Sequence, residues 1–165
     1  MSKQQDQFLK VPYKILRATG YISKSGEDVK MNLSDKLIYC HIKNRFEFFT
    51  KLGKEYFDTQ QAIADAVHMD LKATGNILRK FIENDLTTIY KKPYNNYLKN
   101  VYLSVDNLTL YTKNKKGVIL VQETNLDDFD YGDIPENMLE LAPDYTYEGI
   151  YVDLDDNGKE WNYDI

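Results

Sequence analysis

The chain has 165 residues, 42% of them apolar and 28% charged, enough to bury one ordinary domain core and too apolar for a disordered coil. A single cysteine, Cys40, excludes an intramolecular disulfide and a Cys-rich zinc site, and the longest aliphatic run, 118–121, is far short of the ~20 residues of a membrane span. The net charge of −5 argues against a nucleic-acid binder until it is divided. Residues 1–121 hold 20 basic and 12 acidic side chains, a net of +8, while 122–165 hold Lys159 against 14 carboxylates, a net of −13.

The polar start, 1–7, carries no hydrophobic stretch or cleavage signal, so a soluble, cytoplasmic protein is expected, with no membrane association. Residues 8–16 read as a short strand entering a turn or short helix, and 23–30, with Gly26 inside it, as a surface loop. Ser34 is a candidate N-cap with Asp35 in the first turn; Leu37, Ile38, Ile42, Phe46 and Phe49 then repeat at helical spacing up to Gly53. His41 and His68 lie far apart without a paired ligand motif and are expected to be structural.

Asp58 and Gln61 have the spacing of a capping box, and Ala62, Ile63, Ala66 and Val67 give a short helix its apolar face. The chain turns at His68-Met69 and restarts at Asp70, a second N-cap candidate. Leu71, Thr74, Leu78, Phe81 and Ile82 then form one stripe that ends near residue 84. Two short capped helices separated by about three residues match a helix-turn-helix. Two β-prone runs, 86–92 and 97–105, flank the turn 93–96 and predict a hairpin. Three helices followed by a hairpin is the order of a winged helix, the hairpin being its wing.

Segments 108–112 and 118–122 flank Lys113-Asn114-Lys115-Lys116-Gly117 and predict a second hairpin, followed by an acidic loop at 123–133. Pro135 opens a short helix over 136–141 that Pro143 stops. A type I′ turn at Asn157-Gly158 pairs Leu154 with Trp161, Val152 with Tyr163 and Ile150 with Ile165, which gives the terminal hairpin one apolar face. Asp153, Asp155, Asn157 and Asp164 also fit an EF-hand spacing, but Glu160 stands where an apolar residue is usual, and the hairpin accounts for the same residues without a metal. The fold class expected is therefore α+β: a winged helix-turn-helix over 1–112 with an N-terminal strand, then an acidic, β-rich extension over 113–165.

On the third helix, the face opposite the apolar stripe carries Lys72, Ala73, Asn76, Arg79, Lys80 and Glu83. Cations suit phosphates, and an amide can read an adenine edge, so Lys72, Ala73, Asn76, Arg79 and Lys80 are candidate DNA contacts. A merely solvated helix face would have a similar composition. The wing adds Lys91, Lys92, Tyr94, Asn95 and Lys99, cations and tip residues suited to backbone and minor groove. The plainer reading is that the lysines protect an exposed strand edge. No phosphate-loop, dinucleotide or nucleophile-elbow motif is present, so no enzyme, cofactor or metal is expected.

Phe8-Leu9-Lys10-Val11-Pro12, Leu33-Ser34-Asp35-Lys36-Leu37-Ile38-Tyr39, Phe57-Asp58-Thr59-Gln60-Gln61-Ala62-Ile63-Ala64 and the run from Asn76 to Leu86 resemble one family: the N-terminal winged-helix domain of plasmid and phage replication initiators and related phage regulators. The resemblance covers roughly 8–105. It implies double-stranded DNA binding through the third helix and wing, often as a homodimer. The wing departs from it in having lysines and no arginine, and 122–165 has no counterpart in it. Two functions follow as expectations. One is a sequence-specific DNA-binding transcription regulator or replication initiator whose acidic extension modulates binding or recruits a partner. The other is a protein-interaction module, or acidic DNA mimic, that binds a basic host protein through 122–165.

Overall fold

The computed structural model describes residues 9–94 and 97–129. Helix α1 (Tyr13–Arg17) starts from Pro12, whose fixed φ of −60° leads into the helix. The strand expected before it is absent from the described residues: 9–12 pair with no strand, and the Lys10 carbonyl instead accepts from Asn44 Nδ2 at 3.1 Å. The expected loop at 23–30 is corrected too. It contains β2 (Asp28–Lys30), which pairs with β1 (Gly20–Ile22). Only glycine fits at position 20, because a Cβ there would collide with the Val29 carbonyl.

Helix α2 (Leu33–Lys51) begins two residues earlier than expected. Asn32, not Ser34, is its N-cap, in a reciprocal capping box with Asp35: Asp35 N–H donates to Asn32 Oδ1 at 2.8 Å, and Asn32 N–H to Asp35 Oδ2 at 2.9 Å. Ile38, Tyr39, Ile42 and Phe49 form its buried face. Gly53, at φ 67°, receives the chain in the left-handed conformation that ends the helix.

Strand β3 (Tyr56–Phe57) leads to α3 (Gln60–Ala66) and α4 (Leu71–Glu83). Thr59, not Asp58, caps α3, its Oγ1 accepting from Ala62 N–H at 2.9 Å; Asp58 accepts instead from Tyr56 Oη at 3.1 Å and Thr59 N–H at 3.0 Å. Asp70 caps α4 as expected. Both predicted hairpins form: β4 (Thr87–Tyr94) with β5 (Tyr97–Val105), and β6 (Thr109–Lys113) with β7 (Ile119–Glu123). A short 3-10 turn, Leu126–Asp128, occupies the start of the expected acidic loop.

The fold is α+β with two antiparallel sheets, ordered β2-β1-β6-β7 and β3-β5-β4. The core joins Ile38, Tyr39, Ile42 and Phe49 of α2 to Ile63, Leu78 and Phe81 of the following helices, and to Tyr56 and Tyr102 of the second sheet. Phe129 is buried against Tyr39, ring centroids 6.0 Å apart. The boundary expected at 112/113 therefore falls inside β6, and the packed unit runs on to Phe129. The helix expected at 136–141, the terminal hairpin and the 153–164 loop lie outside the described residues. Among the described residues no helix is long and apolar enough to cross a membrane.

Candidate nucleic-acid interface

Helix α4 is fixed from below. Thr74, Leu78 and Phe81 are buried along one stripe, and α3 approaches at Gly75. A Cβ at Gly75 would strike the buried Gln60 amide, whose Nε2 donates to the Leu71 carbonyl at 2.8 Å. This crossing holds α4 in a single orientation. On the outer side Lys72, Asn76, Arg79 and Glu83 are exposed, and their spacing places them on successive turns of one face. Lys72 to Arg79 spans roughly 10 Å of helix, comparable to the ~12 Å width of a major groove. Ala73 is half-buried beside this row.

Lys80 does not join the row. Its Nζ donates to the Lys30 carbonyl at 2.8 Å and to Asp35 Oδ2 at 3.0 Å, the carboxylate that closes the α2 capping box. Asp35 is 3% exposed, so Lys80 supplies the charge that its burial requires. A helical wheel places Lys80 near the outer face, but the partner lies 45 residues upstream and only the tertiary fold reveals it.

On the hairpin, Lys92 and Lys99 stand directly opposite each other and Lys91 opposite Asn100. Facing cations repel, and the fold answers with two groups absent from the sequence expectation. Glu55 binds Lys92 Nζ at 3.0 Å, a hydrogen bond that pushes the Lys92 pKa up. Phe57 lies under Lys99, Nζ 4.1 Å from the ring centroid, and burial pushes the Lys99 pKa down. Tyr94 pairs with Tyr97 through the backbone, and Asn95 lies outside the described residues.

No protein-family model and no curated protein matches this chain.

Of the expected contacts, the structure thus brings Lys72, Asn76 and Arg79 together, moves Lys80 into packing and gives Lys92 and Lys99 partners within the fold. His41 Nε2 is 3.9 Å from Asp58 Oδ2, with both side chains largely buried. Among the described residues no group of three or more His, Cys, Asp or Glu is placed to hold a metal ion.

Proposed function

We propose that this chain is a sequence-specific double-stranded DNA-binding protein of the winged-helix type, acting as a transcription regulator or replication initiator of a phage or plasmid. The observation that carries the reading is the exposed row Lys72, Asn76 and Arg79 on a helix whose opposite face is clamped by α3. Element order supports it: α2, β3, α3, α4 and then the β4–β5 hairpin, with β5 between β3 and β4. In this reading α4 enters the major groove, Asn76 reads a base edge, Lys72 and Arg79 reach guanine or phosphate, and the Ala73 methyl packs on a base. Lys91 and the wing tip track the adjacent backbone.

The engagement of Lys92 by Glu55 and of Lys99 by Phe57 favours a second reading. There the fold is a protein-interaction module, and the acidic 122–165 segment binds a basic protein. Fluorescence anisotropy of the full chain with random duplex, titrated with salt, separates the two. The first reading expects binding at 50 mM salt that weakens as salt rises, and a Lys72→Ala/Arg79→Ala double variant with a salt slope shallower by about 2. Absence of duplex binding at 50 mM salt overturns it in favour of the second.

A further inference from the structure

Among the described residues, strand β7 is an edge unlike the others. In the first sheet the opposite edge, β2, is three residues long and bears Asp28 and Lys30. In the second sheet, β3 has two residues and β4 carries Lys91, Lys92 and Pro93. Short strands, charges and proline are the usual protection of a sheet edge. On β7, Ile119, Leu120 and Val121 are 56%, 64% and 59% exposed, and Val118 just before it is 50% exposed. These aliphatics alternate between the two faces of the strand, so both faces are apolar at the edge.

The backbone is open as well. At the two ends of the hairpin, Asn114 N–H donates to the Val118 carbonyl at 3.1 Å and Thr124 N–H to the Leu108 carbonyl at 2.9 Å. Inward-facing positions recur every second residue in an antiparallel ladder, so 118, 120, 122 and 124 face β6. Ile119 and Val121 therefore aim their N–H and C=O groups away from the sheet, whereas the outward carbonyl of Glu123 accepts from Lys14 Nζ at 3.4 Å.

The charges flanking β7 are self-complementary. Exposed Lys113, Lys115 and Lys116 lie before it, and exposed Glu123 and Asp127 at and after its end. An antiparallel copy of the same strand brings each basic turn to the other's acidic end. A groove of about 380 Å³, lined by Lys14, Arg17, Thr112, Leu120 and Gln122, runs along one face of this edge.

We infer that β7 is a self-association edge: two copies of the chain pair antiparallel about a two-fold axis at Leu120, making one continuous eight-stranded sheet from two four-stranded ones. The register sets Leu120 against Leu120 of the second copy, Ile119 against Val121, and Glu123 against Gly117 beside the Lys115-Lys116 turn. Outward backbone groups at 119 and 121 then meet their counterparts, which an axis one half-step away would prevent. The inference is independent of the DNA reading, since neither α4 nor the wing takes part.

Sedimentation equilibrium of the full chain over a hundredfold concentration range is the test. The expected result is a concentration-dependent rise from the mass of one chain to that of two. Leu120→Lys and Leu120→Glu, each placing like charges across the axis, should weaken self-association at least tenfold while leaving the circular dichroism spectrum unchanged. An equimolar mixture of the two variants should restore the dimer. A full chain that stays at the mass of one copy up to several hundred micromolar overturns the inference, as does a dimer that neither substitution weakens. Hydrogen exchange gives an independent check: the amides of Ile119 and Val121 should slow at least tenfold as the dimer forms. Full protection in dilute monomer would mean that another part of the same chain covers the edge, and would also overturn it.

Discussion

Hairpin β4–β5 buries Val101, Tyr102 and Val105 at 1%, 4% and 2% exposure, whereas β7 of the β6–β7 hairpin keeps Ile119, Leu120 and Val121 more than half exposed. Both hairpins follow the same sequence recipe, two β-prone runs around a polar turn. What differs is the layer behind them. The first has α2 against one face and β3 beside β5 in the same sheet, where Tyr56 stacks on its cross-strand partner Tyr102 at a centroid distance of 4.7 Å. The second buries Leu110 and Tyr111 on β6, and its outer strand extends past anything the described chain provides. An apolar β-run thus states that a strand will form and not what will cover it.

The sharpest way to break this contrast is to shorten one side chain on each hairpin. Tyr102→Ala removes a buried ring and leaves a cavity against Tyr56, with an expected loss of about 3–4 kcal/mol in urea unfolding. Leu120→Ser in dilute protein should change stability by less than about 0.5 kcal/mol, since the side chain it removes is already in water. Comparable losses at the two positions would show that β7 is covered in solution even when dilute.

The tethers of the hairpins should differ in the same direction. Lys43 Nζ is buried, donating to the Val105 carbonyl at 2.6 Å and pairing with Glu47 at 2.8 Å. Lys43→Met leaves both acceptors without their charge-assisted bond and should cost about 2 kcal/mol. Lys14 holds the far end of the other hairpin through Asp128 at 2.9 Å, with more of the pair open to solvent. Lys14→Met should cost less than about 1 kcal/mol, read from the same denaturation midpoints.

The elements that were legible in the sequence are those whose cause is local. The apolar repeat of α2, the Asp70 cap of α4 and the two long hairpins depend on residues within a few positions of one another. Strands β1, β2 and β3 were not legible because two or three residues are too few to show an alternation: β1 and β2 pair with each other across a short polar turn, while β1 also pairs with β6, ninety residues on, and β3 pairs with β5. The caps at Asn32 and Thr59 were misplaced by one or two residues because the neighbouring Ser34 and Asp58 are equally good cap types. Reciprocity with Asp35 selects Asn32, and the Tyr56 hydroxyl occupies Asp58. In the candidate site, the outward row of α4 follows from helical spacing. The capture of Lys80 by Asp35 and of Lys92 by Glu55 joins residues far apart in the chain, which no spacing rule encodes.

Alkaline pH sharpens the comparison for the sheet that carries β7. Burial, with Asp35 adding to it, pushes the Tyr21 pKa from its ordinary 10.0 to about 12, and burial pushes the Cys40 thiol from 9.0 to about 12. A folded-state pKa above the unfolded value means that the fold favours the neutral form. The stability involved is fully present below the unfolded pKa and is lost as pH rises through the folded one. The chain should therefore hold its stability to about pH 9 and lose it progressively between 9 and 12. Among the described residues the buried Tyr21 hydroxyl has no hydrogen-bond partner, so Tyr21→Phe should leave stability at pH 7 unchanged or slightly higher and flatten the decline above pH 10. Urea titrations at pH 7 and pH 10.5 measure both. An unchanged alkaline slope in the variant would remove Tyr21, and with it the β1 strand, from the groups that govern alkaline unfolding.

The smallest difference lies in the left-handed residues just before β4 and β7. Asp85, before β4, ends α4 in the left-handed region at φ 56°, with its N–H on the Ile82 carbonyl at 3.0 Å and the Leu86 N–H on the Phe81 carbonyl at 2.9 Å. Gly117, before β7, holds φ 80° with open space where a Cβ would stand. Gly117→Ala therefore changes conformational energy alone and should cost about 1 kcal/mol. Asp85→Gly reverses the sign, relieving a strained residue at the expense of a more flexible unfolded chain. Because aspartate tolerates the left-handed region better than most residues, the net gain should be only about 0.5 kcal/mol. A loss on Asp85→Gly would mean that the carboxylate itself holds the α4–β4 junction, and that the junction is set by charge as well as by backbone.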